Sequence, residues 1–119
     1  MADGFKELLQ RHREVSDEKR NLDYQIGQRV PVEIARSVRE RYPRARWVYL
    51  EWSDQGDYLE LHAYWNEDGH TIHEYGWNST EADHNVNTWA SWINKHPDWT
   101  KVLIKDGNAY RIDIEQVLS

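Results

Sequence analysis

The sequence predicts an α+β fold in which an antiparallel sheet packs against helices, in the order α-α-β-β-β-α-β-β. Three observations predict it. Apolar residues recur at helical spacing through the first forty positions. From about residue 46 the pattern changes to strand-like alternation, broken by turns that carry glycine. A helical stretch at 81–95 is then followed by one more alternating pair of segments.

The first element is a helix over residues 4–27, capped by Asp3 and stopped by Gly27. Positions 5, 8, 12, 15, 19, 22 and 26 hold Phe5, Leu8, His12, Val15, Lys19, Leu22 and Ile26. This spacing is a coiled-coil seam with two polar interruptions. A seam of this length is marginal for a helix standing alone. It must pack on its own domain or on a second copy, and Phe5, Leu8, Val15, Leu22 and Ile26 are the candidate oligomerisation residues. A break at "SDEK", residues 16–19, is the alternative, but the unbroken seam favours one helix. A second helix begins at Pro31, a residue suited to a first helical position, and ends before Pro43. Its apolar stripe is Ile34, Ala35, Val38 and Tyr42.

Strands follow near 46–53, 57–65 and 70–77. The turns "SDQGD" and "NEDGH" each set acidic or amide residues before a glycine, which suits a three-residue hairpin loop with left-handed glycine. The third helix, about 81–95, opens on a capping arrangement of Thr80 and Asp83. Its inner stripe is Ala82, Val86, Trp89 and Ile93, and His96-Pro97 ends it. The last hairpin turns at Asp106-Gly107-Asn108; a three-residue loop would align Val102 and Ile104 with Tyr110, Ile112 and Ile114. A short final turn at 115–118 completes a single domain, 1–119, in which residues 1–30 are the candidate oligomerisation element and 31–119 the α+β body.

Three-residue loops would put the odd-numbered residues of the central strands on one face: Trp47, Tyr49, Leu59, Leu61, Ala63, Trp65, Tyr75 and Trp77. That face is the expected core. The even face then holds Val48, Leu50 and Ile72 beside Trp52, Tyr58, Glu60, His62, Tyr64 and Glu74, with His62 directly opposite Glu74. The last six, together with Trp92, set toward the flank of the third helix, are the candidate binding residues. A cross-strand His–Glu pair is a common surface contact worth a few tenths of a kcal/mol, so catalysis by Glu60, His62 and Glu74 is the lesser expectation.

Composition narrows the function classes. The chain has 119 residues, seven Trp, seven Tyr, one Phe and no cysteine. Disulfides and thiolate chemistry are therefore excluded. Residues 1–46 carry eleven Lys and Arg against eight Asp and Glu, whereas 47–119 carry four against thirteen. Such an acidic body repels phosphate backbones and attracts basic partners, so direct nucleic-acid binding is not expected. "HTIHE" at 70–74 lacks the spacing of a zinc motif, because strand alternation sends His70 and His73 to opposite faces. No metal, cofactor or catalytic residue is expected. No apolar run approaches a membrane span, and a cytoplasmic protein is the expectation. The function these features favour is a small acidic, non-enzymatic protein-binding module of inhibitor or adaptor type, homo-oligomeric through its first helix. Its exposed aromatics, ringed by carboxylates, would meet a basic partner surface. The alternative is an oligomer that binds a nucleotide or sugar in aromatic pockets beside Arg36, Arg39, Arg44 or Arg46.

Overall fold

The computed structural model of the protein describes residues 2–95 and 98–119, with side chains from residue 4 onward. The α+β class and the order of elements are as expected, with the two N-terminal helical segments joined into one. The elements are α1 (Ala2–Arg41), β1 (Ala45–Trp52), β2 (Leu59–Asn66), β3 (Thr71–Glu74), α2 (Glu81–Ala90), β4 (Ile104–Asp106), β5 (Ala109–Asp113) and α3 (Ile114–Leu118). Two single-turn 3-10 segments, Ile93–Lys95 and Trp99–Lys101, link α2 to β4. The five strands form one antiparallel sheet in the order β3-β2-β1-β5-β4.

The core lies on one face of this sheet. Ile34, Ala35 and Val38 of α1 and Val86 and Ala90 of α2 meet Val48 and Leu50 of β1, Leu59, Leu61 and Tyr64 of β2, and Ile112 of β5. The stripe expected for the second helix is therefore the face of α1 that packs.

The expected stop at Gly27 and restart at Pro31 do not occur: α1 runs through Pro31 without a break. An interior proline costs a helix about 3 kcal/mol through its missing N–H. Here both it and Gly27 are buried, at the point where the helix meets the body. Before that point, residues 4–26 are exposed throughout except for half-buried Asp23. The helix thus becomes an arm, and the molecule measures 66 × 31 × 28 Å.

Four single-residue differences alter the expected sheet faces. The first turn has four residues, not three: the Ser53 N–H donates to the Tyr58 carbonyl at 2.8 Å, enclosing Asp54 to Asp57. Near this turn Leu50 pairs with Leu61 and Trp52 with Leu59, so even residues of β1 share the core face with odd residues of β2. A bulge at His62 then shifts the register, and Tyr49 pairs with Ala63 and Val48 with Tyr64. The second turn is the expected three-residue loop, closed by the Asn66 N–H on the His70 carbonyl at 2.9 Å, with Gly69 at φ 82°. A second bulge at Ile72 moves Glu74 opposite Ala63 and His73 opposite Tyr64. In the last hairpin Asp106 pairs with Ala109 across a two-residue Gly107-Asn108 turn, with Gly107 at φ 63°. Ile104 consequently faces Arg111, and Val102 lies outside the strand. β4 is a three-residue edge strand, too short for burial to impose the expected register.

The third helix ends at Ala90, five residues before the expected limit, where the Ser91 N–H caps back onto Thr88 and Trp89 carbonyls. The expected stop at His96-Pro97 lies outside the described residues. The Thr80–Asp83 capping box at its start is present in full.

Because residues 4–22 of the arm are exposed throughout, a chain beginning at residue 23 is expected to keep cooperative thermal unfolding and native near-UV circular dichroism. A broad, non-cooperative melt would show that the body depends on the arm.

Candidate functional site

The seven residues expected to bind a partner do not form one patch. Trp52 lies inward, edge-to-face with Trp99 (5.6 Å between ring centroids) and Tyr110 (6.0 Å). Tyr64 is fully buried. His62 is exposed, but its Nδ1 lies 3.6 Å from Glu51 of β1, and its main chain pairs with Tyr75. The expected juxtaposition with Glu74 fails because the Ile72 bulge advances β3 by one residue. Glu60, His62 and Glu74 are thus not brought together.

Tyr58, Glu60 and Trp92 do share a site. They line an open groove of about 620 Å³ between the start of β2 and the end of α2, with Asp57, Asn87 and Lys95. The groove is built by specific hydrogen bonds. Asn87 Oδ1 accepts from the Leu61 N–H at 2.9 Å, on the edge of β2 beyond the end of β3. Asn94 Nδ2 donates to the Asp57 carbonyl at 2.9 Å and Ser53 Oγ to Asp57 Oδ1 at 3.0 Å, which fix the turn against the 3-10 segment. The charge of Glu60, followed by partial desolvation and Asp57, pushes the Tyr58 hydroxyl above its ordinary pKa.

One helical turn toward the start of α2, Tyr75 donates or accepts a 2.6 Å hydrogen bond at His84 Nδ1. Beyond it lies a second concavity along β3, whose walls include Ile72, Glu74 and Trp77. Trp77 was expected in the core and is instead 97% exposed. Its neighbours Gly76 and Asn78 are turn formers, and this flanking is the sequence signal for a loop tip. Glu74 lines the same concavity and Glu81 opens α2. Among the described residues, neither these two nor Glu60 has a basic side chain within ion-pair distance.

The opposite face of the sheet carries the aromatics once expected inside. Tyr49 stacks on Trp65 at 4.4 Å, and the Arg111 and Arg46 guanidiniums sit 4.5 and 5.3 Å from the Trp47 ring. Arg46 is bidentate on Asp113 (2.8 and 3.1 Å) and reaches Glu115 at 2.9 Å. Arg46 also lines a cleft of about 350 Å³ with Arg39 and Arg44.

A buried polar cluster was missed. Asp83 is fully buried and takes a short charge-assisted contact from Arg41 of α1. Its Oδ1 accepts from the Tyr64 hydroxyl at 2.9 Å, and its Oδ2 accepts from the Thr80 N–H and hydroxyl at 3.0 and 3.1 Å. His73 Nε2 lies 3.5 Å from Oδ2 and 3.1 Å from Ser79 Oγ. Burial alone would raise the Asp83 pKa; the Arg41 hydrogen bond, then Thr80 and Tyr64, offset this and hold it at about 2. Burial, with Asp83 adding to it, pushes the Tyr64 hydroxyl far up. Tyr64 therefore stays protonated and donates. The available signal was Arg41, the polar residue that follows Val38 at helical spacing in an otherwise apolar stripe.

Among the described residues, no three His, Asp or Glu side chains converge as a metal site would require. None of the described helices is long and apolar enough to cross a membrane. No family model, curated protein or solved structure matches the chain.

Asp83 is stabilised as the carboxylate, so its contribution is present above about pH 4 and is lost as pH falls through about 2. Asp83→Asn is expected to destabilise the fold by about 3 kcal/mol at neutral pH in urea titration. It should also flatten the pH dependence of stability between those limits. Tyr64→Phe, which removes one donor, should cost about 1–2 kcal/mol.

Proposed function

We propose that this chain is a non-enzymatic protein-binding module of inhibitor or adaptor type, and that its acidic, aromatic β2–β3–α2 side docks on a basic partner surface. The observation that carries this reading is Trp77, 97% exposed at the tip between β3 and α2. Burying such a side chain on a partner is worth on the order of 3 kcal/mol, and tryptophan is among the residues that dominate interface energies.

Its surroundings support the same reading. Ile72 adds apolar surface along the open edge of the sheet. The carboxylates Glu60, Glu74 and Glu81 on this side, without an ion-pair partner among the described residues, would steer and orient a basic surface. Of the thirteen Asp and Glu in residues 47–119, the described structure buries only Asp83 and Asp113. The Tyr58–Glu60–Trp92 groove extends the docking area around the start of α2, through the Tyr75–His84 contact.

Affinity capture with wild type and with Trp77→Ala and Glu74→Lys tests this. Both variants are expected to keep the wild-type melting temperature, since neither side chain is buried. Trp77→Ala should weaken the captured partner's binding by about tenfold or more, and wild-type binding should fall with added salt. Equal affinity of wild type and Trp77→Ala would overturn the reading.

Small-ligand binding is favoured by a different observation. Arg39 Nε is buried without a hydrogen-bond partner, and no carboxylate lies within ion-pair distance of Arg39 or Arg44 among the described residues. Both arginines line a cleft with Arg46, whose guanidinium sits over the Trp47 ring; Glu67, Asp68 and Glu115 line it too, so a nucleotide's phosphates would be held on the Arg39 and Arg44 side. A rise in melting temperature with ATP, absent in Arg44→Met, supports this second reading; no rise with ATP or inorganic phosphate removes it.

A further inference from the structure

The arm leaves a complete heptad seam in solvent. Phe5 is 66% exposed, Leu8 65% and Val15 64%, with Leu22 and Ile26 also open. At about 100° per residue, Leu22 and Ile26 lie roughly a third of a turn away from Ile34 and Val38, which face the body. The seam therefore points beside the body, and a second helix laid along it would not collide with the sheet. Residues 5–22 span about 26 Å at 1.5 Å per residue, enough for a short coiled coil.

We infer that the occupant of this seam is a second copy of the chain, running antiparallel. The charges of the arm decide the orientation. In a parallel pair, equivalent core positions meet, so Lys19 faces Lys19 and His12 faces His12 in the interface. The flanking position of Glu18 then falls beside Asp23 of the second copy, which adds like-charge repulsion on both sides.

The antiparallel pair removes each of these conflicts. Phe5 meets the second copy's Leu22, Leu8 meets its Lys19, and His12 meets its Val15. Lys19 can lay its aliphatic stem on leucine while its ammonium reaches water. The flanks become attractive, because Arg11 falls beside the second copy's Glu18, and Glu18 beside its Arg11. Leu9, also exposed on the arm, falls beside Ser16. The two bodies then stand at opposite ends of the paired arms. This inference is independent of the Trp77 surface, which lies on the body, and its test needs only the purified chain.

Sedimentation equilibrium of the full chain tests it. The wild type is expected to be a dimer, and Leu22→Glu a monomer with unchanged near-UV circular dichroism. Glu18→Arg and Arg11→Glu, taken singly, should each raise the dimer dissociation constant about tenfold or more, since two attractive pairs become two repulsive ones. The double exchange Arg11→Glu with Glu18→Arg should return it close to wild type. A monomeric wild type would give the seam to a different protein and overturn the inference. Tighter association of Glu18→Arg would overturn it too, because that substitution meets Asp23 favourably only in the parallel pair.

Discussion

A carboxylate taken out of water sets the terms for the whole fold. Asp83 is fully buried, and a buried charge is tolerated only where opposite charge and hydrogen-bond donors surround it. Those groups come from separate parts of the chain: Arg41 from the last turn of α1, Tyr64 from β2, His73 from β3 and Thr80 from the cap of α2. Meeting the demand of one side chain therefore fixes two strands and two helices relative to each other. It fixes the direction in which α1 leaves the body, and hence where the arm points. It also fixes the start of α2, and hence the loop that presents Trp77.

Around that point the molecule separates its tasks by position. The helical face of the sheet holds the aliphatic core, and the Trp52–Trp99–Tyr110 cluster closes one end of it. The other face holds stacked aromatics and arginines whose charges are largely met by Asp106, Asp113 and Glu115. Unmatched negative charge is left on the β2–β3–α2 side, and an unmatched apolar stripe is left on the arm. The acidic side belongs to the body and the apolar stripe to the arm, at different ends of an elongated shape.

Much of the architecture was legible in the sequence because it rests on local patterns. The Ile34–Ala35–Val38 stripe, the Thr80–Asp83 capping box and the left-handed glycines in the turns are each written within a few residues. The seam was legible for the same reason. Sheet faces were not, because parity along a strand is inverted by one residue, and the four-residue turn and the bulges at His62 and Ile72 each supply one. The result moved Tyr64 inward and Tyr49 and Trp65 outward, and separated His62 from Glu74. Pro31 and Gly27 read as boundaries, yet burial on both sides of the junction carries the helix through. The Arg41–Asp83 contact joins residues more than forty positions apart, and no local pattern announces such a pairing. Tyr58, Glu60 and Trp92 converge because the turn and the 3-10 segment are tied together through Asp57, another long-range contact.

The bulge at His62 lets one strand show the core both parities. Leu59 and Leu61 face inward before it and Tyr64 after it, while β1 keeps Leu50 and Val48 inward throughout. Losing one residue there would carry Tyr64 outward, away from Asp83, or else Leu59 and Leu61. The Asp54–Asp57 tip lies beyond the last of these pairs, so its length can vary wherever Ser53 and Tyr58 still close it. Chain length in this hairpin is thus constrained inside the strand and free at its end.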